Sequence, residues 1–156
     1  MQKPILQALL VSDNVYSDSI SKKKVIAGVL RKIQFFVPVV DEKEDENESE
    51  TKTETETVLG GARQGGPSPT IFISLTEVYN TQQFELNYVR LEDDQIYFQR
   101  DLAVLCEDPL ETVEVICPMP EIPISPGLFA VELSWSGETL GSFRILIEEI
   151  EDPLKK

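Results

Sequence analysis

Asp13, Asp18, Asp93, Asp94, Asp101 and Asp108 fall in or beside polar bends of the chain. Carboxylate oxygens gathered from loops at one end of a sandwich are the hard donors that Ca2+ takes, about six to eight at a time. Asp13, Asp18, Asp93 and Asp94 are therefore the candidate Ca2+ ligands. Aspartate in a bend also has a plainer use, because its side chain hydrogen-bonds nearby backbone and favours a turn. No Asp-x-Asp-x-Asp-Gly loop occurs. Turn chemistry outweighs metal binding, and no metal or other cofactor is expected.

The sequence contains no histidine. That removes the commonest general base and the commonest neutral metal ligand, and with them Ser-His-Asp, Cys-His and most zinc chemistry. Paired carboxylates can hydrolyse glycosides without histidine, but among 28 Asp and Glu residues chance proximity is expected. No catalytic residue is assigned and the chain reads as a non-enzyme. Gly60-Gly61-Ala62-Arg63-Gln64-Gly65-Gly66 lacks the Gly-Lys-Ser/Thr ending of a phosphate loop and runs into Pro67, so it reads as a hinge. Trp135, Tyr79, Tyr88 and Tyr97 could stack on a sugar. The parity of Trp135 places it in the core or at its rim, and Tyr97, opposite in parity to Ile96 and Phe98, is the better exposed aromatic. Cys106 and Cys117 are expected to be buried free thiols.

Fourteen Lys and Arg against 28 acids leave a formal charge of −14. Nucleic acid and anionic membrane, which need clustered cations, are demoted as partners. Asp41 to Thr57 holds no apolar residue and carries seven of the net negative charges. Such a segment buries too little apolar surface to offset the entropy of ordering, so residues 41–66 read as a flexible acidic and Gly-rich insertion. The insertion either solubilises the chain or acts as an acidic segment that docks on a basic partner or mimics nucleic-acid charge. The apolar stretch Ile5 to Val11 is interrupted by Gln7 and has no cleavage pattern, and the cytoplasm is the expected compartment.

The elements that must position these residues read as short strands. Phe129, Val131, Leu133 and Trp135 alternate with polar or small residues, and Phe143, Ile145 and Ile147 repeat the pattern after Ser136-Gly137. Both apolar sets point inward only if paired residue numbers sum to an even value. A two-residue loop fails that test. A three-residue loop at 136–138 passes it, pairing Val131 with Phe143 and Leu133 with Gly141, with Gly137 at positive φ. Further strands are expected over 5–11, 25–37, 70–79, 84–91, 95–99 and 110–117. Lys22-Lys23-Lys24 and Arg31-Lys32 read as charges that guard strand edges.

Val11-Ser-Asp-Asn-Val-Tyr-Ser-Asp with Val25-Ile-Ala-Gly-Val-Leu-Arg-Lys-Ile33, and Pro126-Gly-Leu-Phe-Ala-Val-Glu-Leu with Gly141-Ser-Phe-Arg, resemble a family of uncharacterised bacterial proteins. The resemblance implies a small β-sandwich and transfers no active site. It covers the chain apart from the insertion. The reading is one all-β domain over 1–150 with a tail at 151–156, an antiparallel two-sheet β-sandwich of immunoglobulin-like type and about eight strands. Its expected role is a protein-interaction or scaffold module, which meets a protein partner or a second copy through a sheet face or edge strand. The alternative is a Ca2+ or carbohydrate module built on the Asp-rich bends.

Overall fold

The computed structural model describes residues 2–37, 58–59, 69–120 and 125–152. Within them the chain is all-β, with no helix. In order, the strands are β1 (Ile5–Ser17), β2 (Lys24–Val29), β3 (Lys32–Phe36), β4 (Val58–Leu59), β5 (Thr70–Thr76), β6 (Asn80–Arg90), β7 (Gln95–Cys106), β8 (Val113–Pro118), β9 (Gly127–Trp135) and β10 (Glu138–Glu149). They form a four-stranded sheet, β2-β1-β5-β8, and a six-stranded sheet, β4-β3-β10-β9-β6-β7.

The count exceeds the eight expected because the apolar run 25–37 is two strands. Gly28 takes φ +70 in β2, and an added Cβ there would run into the Asp13 carboxylate. Leu30 then donates its N–H to Val11 O at 2.8 Å in the four-stranded sheet, and Arg31 O accepts from Leu146 N–H at 2.9 Å in the six-stranded one. Adjacent residues thus carry the chain from one sheet to the other. β3 arrives beside β10 and runs parallel to it, Lys32 to Phe35 against Leu146 to Glu149. The expectation of a purely antiparallel fold is corrected here. A parallel pair needs a long crossover, and almost the whole domain lies between these two strands. The remaining strand comes from the expected insertion, where Val58–Leu59 pairs with Phe35 and Phe36. The rest of 41–66, including the Gly-rich run, lies outside the described residues, as do residues 153–156 of the tail.

The two sheets face each other across a core drawn from both. Leu9, Val11, Ile71, Ile73 and Leu75 come from the four-stranded sheet, and Phe84, Leu86, Tyr88, Phe129, Val131, Leu133, Phe143, Ile145 and Ile147 from the six-stranded one. Burying each such side chain contributes about 1.5–3 kcal/mol, which makes this alternation the main determinant of which face turns inward. Gly141 lets the sheets close, since a Cβ there would lie 2.5 Å from Leu6 Cδ2. The four-stranded sheet also curls. Lys24 Nζ of β2 comes within 4.0 Å of Glu114 Oε2 on β8, although two strands separate them in the sheet order.

The β9–β10 hairpin keeps the expected pairs by a different route. Phe143 faces Val131 and Gly141 faces Leu133, as the parity requires. The turn itself, however, is two residues long, Ser136 (φ 51) and Gly137 (φ 78), with Trp135 opposite Glu138. Positive φ at both central positions is the type I′ geometry whose twist suits a tight hairpin. A bulge between Thr139 and Gly141 supplies the residue that a longer loop was expected to supply.

A second bulge, at Tyr88/Val89, changes the parity of β7. Tyr88 faces Phe98 and Val89 faces Ile96, so Tyr97 is the extra residue. It is half-buried, edge-on to Phe129 at 5.8 Å, and Ile96 is the exposed one at 50%. The expected exposed aromatic is therefore corrected. β8 begins at Val113, later than expected, and ends on Pro118 opposite Thr70. It tolerates proline because it is an edge strand. Cys106 and Cys117 are both buried and free.

Candidate functional site

The aspartates singled out by sequence are not brought together. Asp13 lies within β1 beside Gly28. Asp18 opens the β1–β2 bend, where its Oδ1 accepts the N–H groups of Ser21 at 2.6 Å and Ile20 at 3.0 Å. Those bonds to the charged form, Ser21's first, lower its pKa. In the β6–β7 turn, Asp93 Oδ1 accepts from Arg90 Nε at 3.0 Å and from Gln95 N–H at 3.3 Å, and Oδ2 accepts from Arg90 Nη2. The forked guanidinium, ahead of the Gln95 bond, holds the Asp93 carboxyl down to about 2. Asp94 supplies the positive φ (54°) that closes the same turn. Both charged bends thus carry turn chemistry. Among the described residues no group of three or more Cys, Asp or Glu side chains is placed to hold a metal ion.

Nor do the aromatics form one exposed platform. Tyr88 is buried and lies flat on Phe129, ring centroids 5.3 Å apart and planes 4° apart. Burial pushes its phenol pKa well above the usual tyrosine range. Arg90 sits 5.6 Å over the Tyr97 ring. This cluster welds the β6–β7 turn to the core, and Tyr79 stands apart with its hydroxyl donating to Gln2 at 3.0 Å.

What the fold does assemble lies on the outward face of the six-stranded sheet. A shallow cleft of about 200 Å³ is lined by Gln83, Phe84, Glu85, Asp101, Ser134, Ser136 and Gly137. Glu85 of β6 faces Asp101 of β7 and Ser134 of β9 directly across the ladders. Glu85 is clamped by two amides, Asn87 Nδ2 on Oε1 at 2.7 Å and Gln99 Nε2 on Oε2 at 2.8 Å. Asp101 has no such partner among the described residues.

No family profile and no curated protein matches the chain.

The cleft adjoins an open strand edge. β7 is the outermost strand of its sheet and pairs only with β6 among the described residues. From Phe98 to Cys106 its register runs unbroken, and it contains neither proline nor lysine. Ile96 and Leu105 on it are 50% and 65% exposed. Sequence reasoning placed Asp101 in a bend and ended this strand at Gln99, missing residues 100–106. The alternation of Leu102, Val104 and Cys106 with Asp101, Ala103 and Leu105 was the available signal. Glu85, Asn87 and Gln99 were not legible as a group, because only the β6–β7 register sets them side by side.

Proposed function

We propose that the chain is a non-enzymatic protein-interaction module that takes up an extended protein segment by strand addition along the free edge of β7. The observation that carries this reading is that edge: twelve residues long, uncovered by any other strand among the described residues, with Ile96 and Leu105 exposed. Soluble proteins usually blunt such an edge with lysine, proline or a covering element, since its unpaired N–H and C=O groups template another strand. β7 carries a bulge at one end and the charged residues Arg100 and Asp101 in its middle, but no lysine, no proline and no covering strand among the described residues. Main-chain hydrogen bonds would supply affinity and the alternating side chains specificity.

The sandwich beneath this edge is proposed to be immunoglobulin-like. The order in which the chain visits the sheets supports the reading: β1-β5-β8 corresponds to strands A-B-E, and β10-β9-β6-β7 to G-F-C-C′ of the variable type. Strand D is missing from that correspondence, and the β2 hairpin and parallel β3 are additions to it. A reducing compartment such as the cytoplasm is proposed with it, supported by two buried thiols that remain free.

The test is to select binding peptides from a random display library on the intact chain, then to follow amide hydrogen exchange with and without the tightest one. Strand addition protects alternate amides of Gln95–Cys106. Protection confined to the bends or to a sheet face, or a library that yields no binder, refutes the assignment.

A further inference from the structure

Resting on the strand-addition reading, we infer that the segment taken up by β7 is basic, with a lysine or arginine opposite Asp101 whose side chain lies in the cleft between Glu85, Asp101 and Ser134. A residue directly opposite Asp101 on an added strand has its Cβ about 4.5–5.5 Å away on the same face. That is within reach of both carboxylates lining the cleft.

Three observations select a cation. Glu85 and Asp101 are direct cross-strand neighbours, an arrangement of like charges that destabilises the pair until something neutralises it. The amides of Asn87 and Gln99 bind Glu85 without cancelling its charge, and neither Glu85 nor Asp101 belongs to the ion pairs Lys3–Glu138, Lys24–Glu114, Lys32–Glu148 and Arg90–Asp93. Asn87, only 8% exposed, donates to Glu85 while its own Oδ1 is buried without a donor. Both amide donors are taken up by Glu85, which leaves Asp101 and Asn87 Oδ1 as acceptors without a donor among the described residues. A charge of −14 makes a second copy or an acidic segment the wrong partner electrostatically and steers a basic one inward. Beyond Asp101 the same face of β7 presents Ala103 and Leu105, both exposed. The segment therefore alternates a basic residue with apolar ones at every second position.

The experiment uses the full chain and three fluorescent peptides of about ten residues, a strand's length. One carries a single central lysine, with valine at every second position to either side of it and threonine between. The second has glutamate in place of lysine, and the third is the lysine peptide N-methylated at every second amide. By anisotropy the lysine peptide is expected to bind about ten-fold or more tighter than the glutamate peptide, and N-methylation to abolish binding. Asp101→Asn weakens the lysine peptide about two- to five-fold. Asp101→Lys reverses the preference, whereas Glu92→Lys, the same change in net charge placed in the β6–β7 turn, leaves it. Equal binding of the two charged peptides, both lost on N-methylation, overturns the basic segment and leaves strand addition standing. Lysine binding that survives N-methylation overturns strand addition itself. A chain that forms a dimer on a sizing column and takes none of the peptides assigns the edge to a second copy and overturns both.

Discussion

Deleting Leu140 tests how the last hairpin achieves its register. The even pairing of Val131 with Phe143 and Leu133 with Gly141 is joined to a two-residue turn by one extra residue between Thr139 and Gly141. Excising Leu140 removes the bulge and leaves a regular type I′ hairpin in which Trp135 still meets Glu138 and Val131 still meets Phe143. The cost is then the packing of one half-buried leucine against the core, about 1 kcal/mol. Had the register been held by the loop, the deletion would slip the strand by one residue and turn every inward side chain outward. Phe143, Ile145 and Ile147, exposed by 9%, 0% and 1%, would then lose about 1.5–3 kcal/mol each. Together that is about 5–9 kcal/mol, comparable with the whole stability of a domain this size. Urea unfolding at constant m-value separates the two outcomes, and cross-strand NMR contacts between Val131 and Phe143 identify the register directly. A shortened chain that fails to fold, or folds without those contacts, refutes the assignment of Leu140 as the compensating residue.

Phe129→Ala should destabilise the chain by about 3–5 kcal/mol, because Phe129 is fully buried and carries both the Tyr88 stack and the Tyr97 edge contact; a loss below about 1.5 kcal/mol in urea melts would contradict that role. Asp93 has its folded-state pKa depressed from 3.8 to about 2, so its pairing with Arg90 contributes fully above pH 3.8 and is lost as pH falls through 2. Carboxyl NMR titration should place the Asp93 midpoint near 2 in the parent chain and return it toward 3.8 in Arg90→Gln; the same midpoint in both would reject the guanidinium as the cause.

The alternation of Phe129 to Trp135 and of Phe143 to Ile147 was enough to read the class of fold and the pairs of the final hairpin, because a strand buried on one face must repeat every second residue. The acidic bend at Asp18 and the turn at Asp93-Asp94 were legible as turns for a similarly local reason: aspartate bonds the backbone next to it. Where the apolar run 25–37 breaks was not legible, since Gly28 and Leu30 satisfy either one long strand or two, and only the tertiary partners of adjacent residues, Val11 O for Leu30 N–H and Leu146 N–H for Arg31 O, carry it across to the second sheet. Bulges at Tyr97 and Leu140 were hidden likewise, for an inserted residue alters parity without altering composition. The cleft belongs wholly to tertiary structure. Glu85 and Asp101 are cross-strand neighbours on one face because β6 and β7 pair in one register, and β7 is open because no described strand follows it in the sheet. Local sequence sets the period of each strand, whereas which strands become neighbours, and which edge is left without one, is decided by how the two apolar faces close on each other.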